Sequence, residues 1–316
     1  MHTPKMLVLS GLMAAMALGA AAQAGLQSRL EAITRTYPGH VALYAKNLRT
    51  GAVVAIDANR PVPTASVIKV SLMLEAFRQV KAVRLSLAQP LTLTKANQVE
   101  GSGILRILTP GERLSLRDTI ALMMTLSDNT ATNMVIDAVG LKPTNAFLAQ
   151  IGMKNTYFYK KVFMPAAGPQ PADQKQFGLG KTTAREMGEM LERIYRCDLG
   201  NRSLCREMIN IMRDQQDREM IPRYLDDADA SDGLSPIADK VGELDAVRND
   251  VALVYTRSGQ VVISMFTYNN PDQSWTPDNK AELFIGRVAQ TIVHAWSPEG
   301  LATSIPHLLA PAKGIR

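Results

Sequence analysis

Two side chains three residues apart, Ser66 and Lys69, are the first pair in this sequence whose types and spacing suit catalysis. They open the run TASVIKVSLMLEAF, where Val67, Ile68, Val70, Leu72, Met73, Leu74 and Phe77 leave little room for a solvated face. A helix of that kind belongs in the interior of a fold. Lysine is seldom buried there without a partner or a task. Positions i and i+3 share a helix face, so Lys69 can reach the Ser66 hydroxyl. A serine hydroxyl is a poor nucleophile until a base lies within hydrogen-bond reach. A lysine amine becomes such a base when burial or a second cation lowers its pKa from about 10.4. Taken alone, the pair also fits a capping serine beside a lysine that extends to solvent.

Other polar groups sort by what they can and cannot do. Ser127-Asp128-Asn129 interrupts a second apolar run, LSLRDTIALMMTLSDNTATNMVIDAV. Asp and Ser compete with helical hydrogen bonds, so the cluster marks a cap or break between two helices. His2, His40, His294 and His307 have no metal-ligand spacing, and none sits where a Ser-His-Asp triad needs its base. If the chain is a serine enzyme, its base is a lysine. Cys197 and Cys205 lack nearby histidines and make a poor zinc signature. In an exported protein they can pair across the Asp198–Asn201 turn, or stay free. Gly178-Leu179-Gly180-Lys181-Thr182 looks like the end of a phosphate-binding loop. Lys175 stands where the first glycine is required and no strand precedes it, which argues against nucleotide binding. No metal and no cofactor is expected.

The elements that must position these groups follow from periodicity. Residues 1–24 read as a secretory signal peptide: Lys5, an apolar stretch from Met6 to Ala20, then Ala22-Gln23-Ala24 as a cleavage pattern. The protein is therefore expected in a periplasm or outside the cell, with no membrane span after cleavage. The formal charge is +6, one unit of it from Lys5, and is not gathered into the basic runs that nucleic-acid binding needs. Val41–Leu48 and Ala52–Ile56 read as a hairpin, as do Val251–Thr256 and Val261–Tyr268 around Arg257-Ser258-Gly259-Gln260. Ala281–Trp296 is an amphipathic helix. Leu141–Lys181, rich in Pro and Gly, is the least regular part, and long loops in compact domains are often functional. The fold class is α/β in the α+β sense. An antiparallel-sheet lobe from about 25–60 and 236–296 is flanked by helices, with an all-helical lobe at about 61–235. Together they make one catalytic domain, 25–296, followed by a C-terminal tail, 297–316. A monomer is expected.

Three motifs occur in order: S-x-x-K at Ser66 and Lys69, S-D-N at Ser127–Asn129, and K-V-G at Lys240–Gly242. The chain thereby resembles the class A β-lactamases and penicillin-recognising serine hydrolases, whose motif set is S-x-x-K, S-D-N and K-T-G. The resemblance extends along nearly all of the sequence after the leader. It implies Ser66 as nucleophile and Lys69 as base. Ser127 would relay a proton to the leaving nitrogen, Asn129 would bind a substrate amide, and Lys240 would be a second cation that attracts a substrate carboxylate. Gly242 and Glu243 would line the substrate site, with the backbone N–H groups of Ser66 and Glu243 forming an oxyanion hole. The implied partner is a small molecule, a β-lactam or a D-alanyl peptide.

Two departures divide the functional reading. Val241 replaces the family's Thr or Ser, whose hydroxyl helps hold the substrate carboxylate; Arg248 can compensate, or can be a surface arginine. The family's E-x-x-L-N glutamate, which activates the deacylating water, is also missing. No glutamate lies between Glu112 and Glu186, and Met164-Pro165 aligns with the family's Glu-Pro step. Asp173, the acid within 154–181, is either a substitute deacylation group or a loop anchor. The chain is thus expected to be a serine hydrolase that forms and hydrolyses an acyl-enzyme at Ser66. The alternatives are a penicillin-binding or D,D-peptidase-like protein that releases its acyl group slowly, and a non-catalytic cell-wall ligand-binding relative.

Overall fold

A computed structural model describes residues 21–305. The chain begins with a helix over 21–35 (α1), strands β1 (His40–Asn47), β2 (Val53–Ile56) and β3 (Val62–Pro63), a 3₁₀ turn at Ala65–Ile68 and helix α2 (Lys69–Lys81). Strands β4 (Pro90–Thr92) and β5 (Arg113–Ser115) precede helices α3 (Leu116–Thr125), α4 (Asn129–Val139) and α5 (Leu141–Gln150). Then come β6 (Tyr157–Phe158), α6 (Gln174–Phe177), β7 (Gly180–Thr182), α7 (Ala184–Arg196) and α8 (Arg202–Arg213). The last elements are β8 (Ile237–Leu244), β9 (Val247–Thr256), β10 (Gly259–Tyr268) and α9 (Lys280–Trp296).

Both ends of the chain build one antiparallel sheet, in the order β2-β1-β10-β9-β8. Period-two alternation gives it two apolar faces. Val41, Leu43 and Ala45 of β1, with Val254 and Ile263, pack beneath Leu30 of α1 and Ile285, Val288 and Ile292 of α9. Ala42, Tyr44, Leu253 and Phe266 point the other way, into a larger core shared with α2, α4, α7 and α8. The α/β class and the antiparallel sheet flanked by helices are as the sequence leads one to expect.

Three details differ from the reading of the sequence. Ser66 lies in a 3₁₀ turn rather than in the first turn of an α-helix, and Lys69 is the first residue of α2. In 3₁₀ geometry positions i and i+3 eclipse, so the two residues stay on one side. The stretch 141–181 is more regular than its composition suggests. Pro143 falls in the first turn of α5, where its missing N–H costs no hydrogen bond. The start of the expected tail docks on the sheet: Leu301 forms a bridge with Thr256 and is buried, and Ala302 N–H donates to Tyr255 O at 2.9 Å. Residues 1–20 of the expected leader and 306–316 of the tail lie outside the described residues.

Cys197 and Cys205 are joined by a disulfide, with Cα atoms 5.5 Å apart. Cys197 takes a left-handed conformation at the end of α7, which turns the chain back toward α8. Closing so short a loop constrains the unfolded chain by about 2 kcal/mol. A Cys197→Ala/Cys205→Ala double variant is expected to lose about that much stability in urea unfolding, with an m-value slightly raised because the unfolded chain is released.

Candidate active site

The turn that carries Ser66 is wedged between the sheet and the helical layer. Asn249 on β9 donates to Pro63 O at 2.9 Å, and Thr64 N–H donates to Gly180 O at 3.0 Å, pinning the approach to the turn on two sides. Ala65 sits at φ 44°, a left-handed conformation that is costly for a residue with a side chain. β8 is the edge strand of the sheet, and its outer edge faces this turn. Contact is close because Gly242 has no side chain. A Cβ there would stand 2.7 Å from Thr64 O, 2.8 Å from Val67 N and 3.0 Å from Ser66 N. Gly242 thus positions the strand against the Ser66 backbone.

Lys69 is fully buried, at 0% exposure. Its Nζ donates to Ser127 O at 2.7 Å, to Asn129 Oδ1 at 3.0 Å and to Ser127 Oγ at 3.1 Å. No hydrogen bond joins Lys69 to Ser66 among the described residues, although residue spacing allows one; the amine is turned toward the Ser127–Asn129 segment instead. Burial drives its pKa well below the ordinary lysine value, and the nearby Lys240 cation lowers it further, against the pull of Asp128. A neutral amine has two N–H groups and a lone pair. It can donate to Ser127 O and Asn129 Oδ1 while accepting from the Ser127 hydroxyl.

The Ser127–Asn129 segment is itself held under strain. Ser127 has φ 53°, between α3 and α4. Asp128, fully buried, caps α4 by accepting from Ala131 N at 2.8 Å and also accepts from Ile104 N at 2.7 Å and Leu105 N at 2.8 Å. The 101–103 loop is thereby drawn over the segment, and Asn129 N–H donates to Ser102 O at 3.1 Å. Gly103 is required there: with φ 100°, a Cβ would lie 2.1 Å from Asp128 Cγ.

Lys240, on the same strand as Gly242, is fully buried and donates to Val241 O at 2.9 Å. Burial pushes its pKa down to about 8, opposed by Asp239, Asp217 and Asp250. A cavity of about 520 Å³ opens beside Ser66, lined also by Asn129, Val162, Phe163, Glu243 and Trp275. Of the residues expected in the site, the cavity wall thus brings together Ser66, Asn129 and Glu243, with Lys69 and Ser127 joined to it through Asn129.

Two expected residues do not line the cavity. Arg248 is buried rather than on the surface. It donates to Glu282 Oε1 at 2.8 Å and to the carbonyls of Leu244, Val247 and Ser274, and its guanidinium stacks 4.6 Å from the Trp275 ring. Asp173 accepts from Tyr159 OH at 2.8 Å and pairs with Lys181 at 2.5 Å, which lowers its pKa. It ties the two ends of the long loop together and does not line the Ser66 cavity.

The long loop presents a different residue to Ser66 than sequence alignment suggests. Met164 and Pro165 line a separate groove with Tyr157 and Lys161. The loop reaches the Ser66 cavity instead through Lys160, Val162, Phe163, Gln174, Gly178 and Leu179, of which Val162 is buried, at 7% exposure. Its backbone is clamped by Asn133, whose side chain accepts from Val162 N at 2.9 Å and donates to Val162 O at 3.1 Å. An apolar side chain in an irregular loop carries no signal in sequence; Asn133, four residues past Asn129, was the available clue. Among the described residues there is no group of three or more His, Cys, Asp or Glu that could hold a metal, and no helix long and apolar enough to cross a membrane.

A serine at a strained turn, a buried lysine, a second serine and a strand edge are the parts of a serine hydrolase of the β-lactamase kind. The model of the Beta-lactamase enzyme family matches residues 25–296, and the chain belongs to that family. Its fold is similar to a β-lactamase from Sphaerobacter thermophilus, at 28% identity and TM-score 0.71, covering 87% of this chain and 95% of that one. It is also similar to PBP-A, at 24% identity and TM-score 0.71, covering 86% and 95%. A Leu-to-Glu variant of PBP-A, solved as an acyl-enzyme complex with penicillin G, aligns at 24% identity and TM-score 0.70 over 87% and 96%.

Gly242→Ala tests the contact between β8 and the Ser66 turn. Since all three atoms in the way are backbone, the strand must shift, and a loss of about 1–3 kcal/mol is expected in chemical unfolding. An unchanged midpoint would show that the turn yields freely.

Proposed function

We propose that this protein forms an acyl-enzyme at Ser66 with a β-lactam or a related peptide amide, such as a D-alanyl amide, and releases the acyl group slowly. The observation that carries the acylation half is Lys69, an amine without exposure whose pKa burial and Lys240 depress and which touches both Ser127 and Asn129. Ser66 Oγ attacks the amide carbonyl and its proton passes to neutral Lys69. Nucleophile–base contacts that are long in a free enzyme commonly tighten with substrate. The proton then moves through the Ser127 hydroxyl to the leaving nitrogen, so the C–N bond breaks as the Ser66 ester forms. The N–H groups of Ser66 and Glu243 face the developing oxyanion. We place this work in a periplasm or outside the cell, where a disulfide such as Cys197–Cys205 persists.

Slow release is supported by the long loop. Deacylation needs a base beside the ester, and none of the loop residues that line the cavity, Lys160, Val162, Phe163, Gln174, Gly178 and Leu179, carries a carboxylate. One observation favours the hydrolytic alternative: Glu243 lines the same cavity, with its carboxyl pushed up to about 7, chiefly by burial. A group of that pKa can act as a general base near neutrality.

Intact-mass measurement after mixing with penicillin G or its carboxamide tests the reading. The expected result is one acyl adduct that persists for many minutes and is absent in Ser66→Ala. Rapid turnover that Glu243→Gln slows would favour the hydrolytic alternative, and no adduct with either compound would favour a non-catalytic ligand-binding protein. Val162→Glu places a carboxylate at the loop wall and is expected to speed adduct loss by about tenfold or more; adducts of equal lifetime would exclude this wall as the origin of slow release.

The second cation gives a pH prediction. Removing it in Lys240→Gln makes protonated Lys69 less unfavourable, so the Lys69 pKa rises. The acidic limb of the acylation rate should then move to higher pH, whereas Lys240→Arg keeps the charge and holds it low. A limb that stays in place in Lys240→Gln would remove Lys240 from the tuning of the base.

A further inference from the structure

Val241 and Glu243 are two residues apart on β8, so their side chains leave the strand on the same side. Val241 is buried among the apolar side chains beneath α9 and offers no donor. Glu243 lines the Ser66 cavity. Directly across from it on β9 is Arg248. That guanidinium is already shared between Glu282 at 2.8 Å and Glu243 at 3.4 Å, is bonded to three carbonyls and is covered by Trp275. One cation therefore faces two carboxylates, and Asp245 adds another acid to the same wall. Lys160, the cation that lines the cavity, comes from the long loop rather than from β8. Burial, Asp217 and Glu282 together push the Glu243 carboxyl up to about 7 against the opposing pull of Arg248 and Lys240, so above that pH the wall carries a negative charge that its surroundings disfavour. A substrate carboxylate placed there would meet the same field.

Building on the acylation reading, we propose that Glu243 determines specificity: the Ser66 site selects acyl donors whose group beside β8 is an uncharged amide or an ammonium, and rejects donors that place a carboxylate there. Like charges in a partly dry cavity repel far more than in water, and a clash of charge is an effective way to exclude a ligand. An amide N–H or an ammonium can instead donate to Glu243. The rings of Phe163 and Trp275, 65% and 62% exposed, line the same cavity and suit a cationic or apolar group.

Penicillin G, its primary carboxamide and its aminoethyl amide share one acyl part and differ in this group. The measurement is the rate of adduct formation at Ser66 for each, by intact mass, at a pH above 8, where Glu243 carries its charge. The two amides are expected to acylate the wild-type protein about tenfold faster than the free acid or more, and Glu243→Gln should shrink that ratio toward one. A free acid that reacts as fast as the amides in the wild-type protein overturns the proposal, as does an undiminished ratio in a folded Glu243→Gln variant. The wild-type ratio decides the matter even if the variant does not fold. Failure of all three compounds to form an adduct would instead overturn the acylation reading and the proposal with it.

Discussion

The structure depends on keeping one amine out of water. An uncompensated buried ammonium is costly, and the usual response is to give up the proton. Lys69 meets that condition at the first residue of α2, with acceptors supplied by Ser127 and Asn129 rather than by solvent. The surroundings serve this arrangement. The apolar core around α2 removes water, Asp128 fixes the S-D-N segment in space, and Lys240 makes a second positive charge at Lys69 less favourable.

Strain and close approach complete the site. Ala65 and Ser127, both at positive φ, flank the chemistry from the sheet side and the helical side. Neither conformation would persist without its tethers: the Asn249–Pro63 and Thr64–Gly180 bonds near Ala65, and the Asp128 bonds to Ile104 and Leu105 near Ser127. Lys69 and its partners sit on rigid elements, whereas the long loop spends its acid, Asp173, on Tyr159 and Lys181, away from the Ser66 cavity.

The parts of this molecule legible in sequence are those governed by local patterns. Alternation in Val41–Leu48 and Val261–Tyr268 predicts strands because each face of the sheet is covered by helices, and Ser127-Asp128-Asn129 predicts a helix break because Asp128 does cap α4. Ser66, Lys69 and Lys240 stand out because their polarity conflicts with apolar surroundings. What could not be read depends on long-range registry. Arg248 faces Glu243 across two strands and meets Glu282 from α9, which no spacing in the chain reveals. Val162, its backbone clamped by Asn133, lines the Ser66 cavity, whereas Met164 does not. The 3₁₀ turn at Ala65–Ile68 is likewise imposed by its contacts with β8 and β9 rather than by propensity.

The pairing of β1 with β10 ties His40 to Tyr268 and Asn47 to Val261, across most of the chain. Contacts so distant in sequence form slowly, since loop-closure entropy must be met before they contribute stability. The strand that completes the Ser66 site, β8, joins this sheet through β9 and β10. Ser66 and Lys69 can therefore reach the helical layer while the β8 wall is still missing. A growing polypeptide carries Ser66 long before it carries Gly242, so the turn at Ala65–Ile68 lacks its partner strand until the sheet closes. The β8 wall is thus the last part of the Ser66 cavity to be made.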